Sequence, residues 1–211
     1  MAATASSPRQ RAVPRTDSRD RLLEATSQLL VERDTLDVSL LDIAARAELN
    51  HGLVGYYFGS KDGLLLALLK RDAFKALESL KLLVEADMPP IRKLQLHIAG
   101  IIKTYFRHPY INPLINRLQG SGTDSARELS EFFIKPLIAL QGQILSQAEA
   151  AGQIRAIDPM LFYYSTIGAA DFLFRSRGTL PFAFGIDAID QDLAESYARH
   201  VVSTILHGVC K

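Results

Sequence analysis

Apolar residues recur at intervals of three and four along most of the chain, and the elements this spacing predicts are helices. After Asp17, the residues Leu22, Leu23, Ala25, Leu29 and Leu30 fall at helical spacing, with Asp17 or Ser18 placed to cap a first helix that ends near Asp34. Ser39 to Ala47 and Asn50 to Phe58 read as two brief helices joined by a tight turn at Glu48 and Leu49, with Ser39 and Asn50 as N-caps. Ser60 caps a long fourth helix, whose apolar face runs through Leu64, Leu65, Leu68, Leu69, Phe74, Leu77 and Leu80 until Pro89 and Pro90 stop it.

Further on, Ile91 to Arg107 predicts a helix broken by His108 and Pro109, with a shorter one at Asn112 to Leu118. Gly120 to Thr123 reads as a loop. Ser125 to Ala151 carries helical periodicity, with Pro136 placed to kink it and Gly152 to end it. Asp158 and Pro159 open a helix over Met160 to Arg177, Gly178 to Gly185 reads as an apolar loop, and a last helix covers Asp190 to His207. No stretch alternates with period two for long, so the expected fold class is all-α, with about nine helices. Three segments are expected: a disordered basic tail (1–16), a helix-turn-helix DNA-binding domain (17–63), and a helical ligand-binding and dimerisation domain (64–211).

Composition changes this picture little. Hydrophobic residues make up 48% and charged residues 22% of 211, which suits a packed globular chain and excludes a disordered one. The net charge of +1 provides no global field toward nucleic acid, and residues 1–63 hold eight Lys/Arg against nine Asp/Glu. The positive charge is instead local: Arg9, Arg11, Arg15, Arg19 and Arg21 outnumber Asp17 and Asp20, an arm that suits a minor groove or phosphates as well as it suits a solubilising tail. The single cysteine, Cys210, excludes a disulfide framework and a cysteine zinc site. With no apolar run long enough for a bilayer and no apolar signal segment, the expected location is cytoplasmic, with no membrane partner.

Ser39 to Leu64, SLLDIAARAELNHGLVGYYFGSKDGL, carries the function. Ile43, Ala44, Ala47, Leu49, Leu53 and Phe58 supply inward residues, and Ala44 is small where the two short helices approach. The second helix would present Asn50, His51, Gly52 and Tyr56 to a major groove. A helical hairpin in a bundle core would explain the apolar residues, but not the tyrosines beside a glycine-flanked turn or Ser60-Lys61 opening a helix.

This stretch resembles the TetR family pattern T-x-x-x-I-A-x-x-A-G-V-S-x-G-x-x-Y-x-Y-F-x-x-K-x-x-L. It matches at Ser39, Ile43, Ala44, Ala47, Leu49, Gly52, Tyr57, Phe58, Lys61 and Leu64. It departs at Glu48, where a glycine usually makes the turn, and at Gly55, where an aromatic usually lies. The first departure implies either a left-handed residue costing about 1 kcal/mol or a different turn. The resemblance implies that Tyr57 and Lys61 hold phosphates, that His51, Gly52 and Tyr56 touch DNA, and that repression is the default. Lys61 at a helix N-terminus is also where a phosphate clamp belongs physically.

Aromatics crowd the predicted helices of the second half. Most read as core, but polar groups among them could orient a small apolar or amphipathic effector, and Tyr105, Asn116, Arg117, Phe133, Gln141, Tyr164, Asp171 and Arg175 are the candidates. The helix from Lys61 to about Asp87 links such a pocket to DNA. A homodimer is expected through the last two long helices, with Leu193, Tyr197, Val201, Val202 and Ile205 as an incompletely covered stripe. Zinc spacing, phosphate loops and a nucleophile elbow are all missing, so no enzyme, metal or cofactor is expected. A helical scaffold without specific DNA binding is the remaining alternative.

Overall fold

In this computed structural model, which describes residues 15–120 and 124–210, every regular element is helical apart from one isolated bridge between Ile154 and Cys210. The expected tail falls outside the described residues up to position 14, taking Arg9 and Arg11 with it, as does the loop at 121–123. Helix α1 (Arg15–Arg33) starts two residues before the expected cap. Asp17 therefore sits inside the first turn, where the helix dipole favours its charge, and is not the cap.

Helices α2 (Leu40–Arg46) and α3 (Gly52–Phe58) form the helix-turn-helix. Ser39 Oγ accepts the Asp42 N–H at 3.0 Å, as a cap should. The turn resolves the question left at Glu48. Its φ is 53°, the Glu48 N–H donates to Ala45 O at 3.1 Å and the Leu49 N–H to Ala44 O at 2.9 Å, which is a Schellman closure built without glycine. Arg21 Nη2 of α1 donates to Ala47 O at 2.5 Å and to Glu48 Oε2 at 3.3 Å, so the left-handed residue is tied down from outside. Helix α3 begins at Gly52 rather than Asn50, yet Asn50 Oδ1 accepts the Gly52 N–H at 2.8 Å and closes its first turn.

Ser60 caps α4 (Lys61–Glu85) through the Gly63 N–H at 3.0 Å. This helix is the spine: it packs on α1 and α3 and on the helices that follow. Those are α5 (Pro90–Arg107), α6 (Ile111–Gly120), α7 (Asp124–Leu129) and α8 (Lys135–Ala150). Between α7 and α8 lies a π-helical turn, Ser130–Ile134. The irregularity at Pro136 thus precedes the proline and is no simple kink. Lacking an N–H and crowding the carbonyl four residues back, Pro136 favours the wider turn, in which the Lys135 N–H reaches Ser130 O.

Gly152 (φ 70°) ends α8 in a second Schellman closure, and Asp158 caps α9 (Pro159–Arg175). The segment expected as an apolar loop is instead a 3-10 turn, Arg177–Thr179, and a short helix α10 (Leu180–Phe184) ended by left-handed Gly185. Helix α11 (Gln191–Val209) lies on α5 and α9. Its apolar stripe is therefore covered within the chain: Val201 is buried, and Tyr197, Val202 and Ile205 pack on the core. An uncovered apolar face lies on α9 and α10, where Leu161, Tyr164, Phe172, Phe182 and Phe184 are exposed; on α4, Phe74, expected on the apolar face, is exposed too. With α10 and the π turn added, the described residues hold α1 to α11 rather than nine helices. None is long and apolar enough to cross a membrane.

Candidate nucleic-acid interface and effector cavity

Helix α3 is anchored by one fully buried side chain, Val54, which sequence reasoning passed over, with Leu53, Tyr57 and Phe58 half-buried beside it. That leaves His51, Gly52, Gly55 and Tyr56 on the outer face, Tyr56 being 61% exposed and edge-on to Tyr57 with centroids 5.0 Å apart. Asn50 and Ser39 are exposed at the starts of α3 and α2. The chain returns from α3 into α4 so closely that a Cβ at Gly63 would lie 2.1 Å from Phe58 O. Only glycine allows that approach, and it fixes α3 against the first turn of α4.

The cations of this face are already engaged. Arg46 holds Glu32 through two bonds of 2.8 and 2.7 Å and keeps that carboxyl below its ordinary range; Arg33 does the same to Asp42 at 2.7 Å. Lys61 Nζ stands 3.7 Å from Asp37, whose side chain is 98% exposed. A phosphate arriving at the N-terminus of α4 must therefore displace Asp37 from Lys61.

A cavity of about 500 Å³ lies among α4, α5, α6, α8 and α9 and reaches α1 at Glu24 and Ser27. Its interior is apolar, with Leu80, Ile115, Phe133, Leu137 and Ile167 on its walls. At one end His97 is buried against Gln141 (Nε2 to Oε1, 3.2 Å), and burial pushes the imidazole below its ordinary value, so it stands neutral. A second, shallower groove between α5 and α11 has no such buried polar group bonded within it.

The wall toward α1 is a buried polar relay. Ser27 Oγ meets Tyr110 Oη at 2.8 Å, and Tyr110 donates to Asp72 Oδ2 at 2.7 Å. Arg71 Nε donates to Asp72 Oδ1 at 2.9 Å, and Arg71 Nη1 to Glu24 Oε2 at 3.2 Å. Burial chiefly drives the Tyr110 phenol well above its ordinary range, so it remains a neutral donor. The relay joins α1, α4 and the α5–α6 corner in one network.

Of the eight effector candidates, Tyr105 and Phe133 line the cavity, and Gln141 stands behind it through His97. Asn116 and Arg117 are exposed on the far side of α6, and Arg117 bonds Asp62 at the start of α4 at 3.2 Å. Tyr164 and Arg175 are exposed on α9, while Asp171 is buried near the Tyr105 and Tyr197 hydroxyls. None of these last five lines the cavity. Sequence reasoning missed Ser27, Asp72 and Tyr110; the one available signal was an aspartate on the leucine face of α4.

Comparison with known proteins accords with this geometry. Residues 22–68 match the description "Bacterial regulatory proteins, tetR family", and residues 87–211 match "Tetracyclin repressor-like, C-terminal domain". An HTH-type transcriptional repressor of Mycobacterium tuberculosis is 48% identical over 48 residues, which cover 23% of this chain and 26% of that protein. The regulator BetI of Serratia proteamaculans is 33% identical over 84 residues, 39% of this chain and 42% of that one. The chain thus spans about a quarter of the first relative and under half of the second.

Two solved structures share the fold over most of their length. A TetR/AcrR-family regulator from Thermobifida fusca has a TM-score of 0.70 at 21% identity, covering 91% of this chain and 98% of that one. FadR of Bacillus subtilis, in complex with stearoyl-CoA, has a TM-score of 0.70 at 17% identity, covering 90% and 98%. Because the C-terminal match alone covers more than half of the sequence, and the N-terminal match falls on the helix-turn-helix, the chain belongs to the TetR family of transcriptional regulators, not to a family of enzymes.

Proposed function

We propose that the protein is a ligand-responsive repressor that binds a pseudo-palindromic operator as a homodimer and is released by a small apolar or amphipathic effector. The observation that carries this reading is α4: its first turn, with Lys61, flanks the exposed face of α3, and its middle, from Arg71 to Leu83, forms a wall of the cavity. One rigid element thus joins both sites, so an effector that shifts α4 changes the spacing of the two recognition helices in a dimer.

For the dimer, the exposed face of α9 and α10 is the candidate surface. Leu161, Tyr164, Gly168 and Phe172 share one face of α9, and Gly168 has open space above it, which suits close crossing of a symmetry-related helix. The outer side of α11, with Glu195, Arg199, His200 and Ser203, is polar and suits a rim.

In this reading His51, Gly52 and Tyr56 approach bases, Tyr57, Lys61, Ser39 and Asn50 serve the backbone, and typical coupling would lower operator affinity by roughly 5- to 150-fold on effector binding. The test is to sequence genomic fragments retained by the purified chain and titrate them against salt. A shared inverted repeat with a steep salt slope is expected. Retention without a shared sequence would reject specific recognition.

A further inference from the structure

The cavity wall between α4 and α5 differs from the rest. On α4, Lys75, Ala76 and Ser79 face it; on α5, Gly100, Lys103, Thr104 and Arg107 do, at spacings that put each set on one helix face. Ala76, Ser79, Gly100 and Thr104 are short, and a Cβ at Gly100 would meet no atom within 4 Å. The two helices therefore leave a slot, and the exposed Lys75, Lys103 and Arg107 form its rim.

The charges around this slot do not balance. The acids on the cavity wall are Glu24 and Asp72, and Arg71 already engages both, with Tyr110 also donating to Asp72. Lys75, Lys103 and Arg107 have no side-chain hydrogen bond or ion pair with any described residue. Half-buried His108, beside them, is held below its ordinary value chiefly by burial, with Asp72 opposing and Arg71, Lys75 and Arg107 adding to the depression. Three uncompensated cations thus border the solvent end of an apolar chamber.

We propose that the effector is an amphipathic organic anion, its hydrocarbon or aromatic body among Leu80, Ile115, Phe133 and Leu137 and its carboxylate or phosphate between Lys75 of α4 and Lys103 and Arg107 of α5. The proposal rests on the reading of this cavity as the effector site. A headgroup held from both helices draws α4 toward α5, and α4 is the element that carries Lys61. An apolar molecule without the charge fills the chamber and leaves the slot unbridged.

The test uses the full chain and four probes of one tail length: decanoate, decyl phosphate, decanol and decyltrimethylammonium, each below its micellar concentration. Calorimetry should find at least one of the two anions binding about tenfold or more tighter than decanol, with the cation weakest, since charge-assisted bonds are about twice as strong as neutral ones. The tighter of decanoate and decyl phosphate identifies the headgroup. The double variant Lys103→Gln, Arg107→Gln should bring the anion-to-alcohol ratio toward unity and remove its salt dependence. Decanol binding as tightly as both anions, or an unchanged ratio in the variant, overturns the inference and leaves the cavity as an effector site for neutral molecules. Failure of all four probes to bind overturns both the inference and the cavity reading. Operator affinity measured in parallel separates the remaining case: an anion that binds with the expected ratio but leaves DNA binding unchanged upholds the site's chemistry and refutes the switch.

Discussion

Single residues set the geometry of the DNA face, and three of them allow sharp tests. Gly63 sits inside a helix, where alanine would ordinarily gain about 1 kcal/mol, yet its Cβ would strike Phe58 O. Gly63→Ala should therefore destabilise by about 1–3 kcal/mol and weaken DNA binding, measured by thermal denaturation and anisotropy; a more stable variant would show that α3 does not press on α4 as described. Lys61→Ala should weaken binding to all sequences and flatten the salt slope, and Asp37→Asn should do the reverse, because it frees Lys61 and removes a charge that repels phosphate. If Asp37→Asn bound DNA no better at low salt, Lys61 would hold no phosphate. His97 reports on the cavity end. Because burial holds the folded imidazole below its ordinary value near 6.5, the unfolded chain takes up the proton first as pH falls. Stability is then full above about pH 6.5 and declines below it, and His97→Gln should flatten the drop in melting temperature between about pH 7 and 5. An unchanged slope would assign that titration to another group, with His108 the other ring held low.

Among the elements, α4 carries the account, and the relay at its middle is the part most open to attack. Tyr110→Phe removes the hydroxyl that joins Ser27 of α1 to Asp72, leaving two buried polar groups short of a partner at a cost of about 1–3 kcal/mol. It should also reduce the effector's effect on operator affinity, read as the ratio of DNA dissociation constants with and without effector; an unaltered ratio would place the transmission elsewhere. The sequence made some of these elements legible and hid others, for physical reasons. Caps are local, so Ser39, Ser60 and Asp158 announced three helix starts correctly, and Asp190, read as the first residue of the last helix, is its cap. The relay joins residues 83 and 38 positions apart, and no periodicity encodes such a pairing. The stripe on α11 was visible, but periodicity shows only that a face is apolar and cannot say whether α5 or a second copy covers it. Helix α10 was obscured because its residues, Leu180 to Phe184, are apolar all round and leave Phe182 92% exposed.

At the scale of the whole molecule, a single core runs from Leu22 of α1 to Val209 of α11, so in the proposed switch a change at the cavity would reach the helix-turn-helix through packed side chains rather than across a hinge. Among the described residues of the N-terminal face, Arg21, Arg33, Arg46 and Lys61 each face a carboxylate. With those cations engaged and a net charge of only +1, the proposed two-fold dimer would gain its DNA affinity from paired, correctly spaced contacts more than from bulk attraction. In the proposed dimer, α3 reads DNA from two copies at once. Hydroxyl-radical footprinting of the chain on a retained genomic fragment tests it most directly. Two protected patches related by a dyad are expected, on one face of the duplex, with half-site centres an integral number of helical turns apart. A single patch, or uniform protection without a dyad, would contradict it.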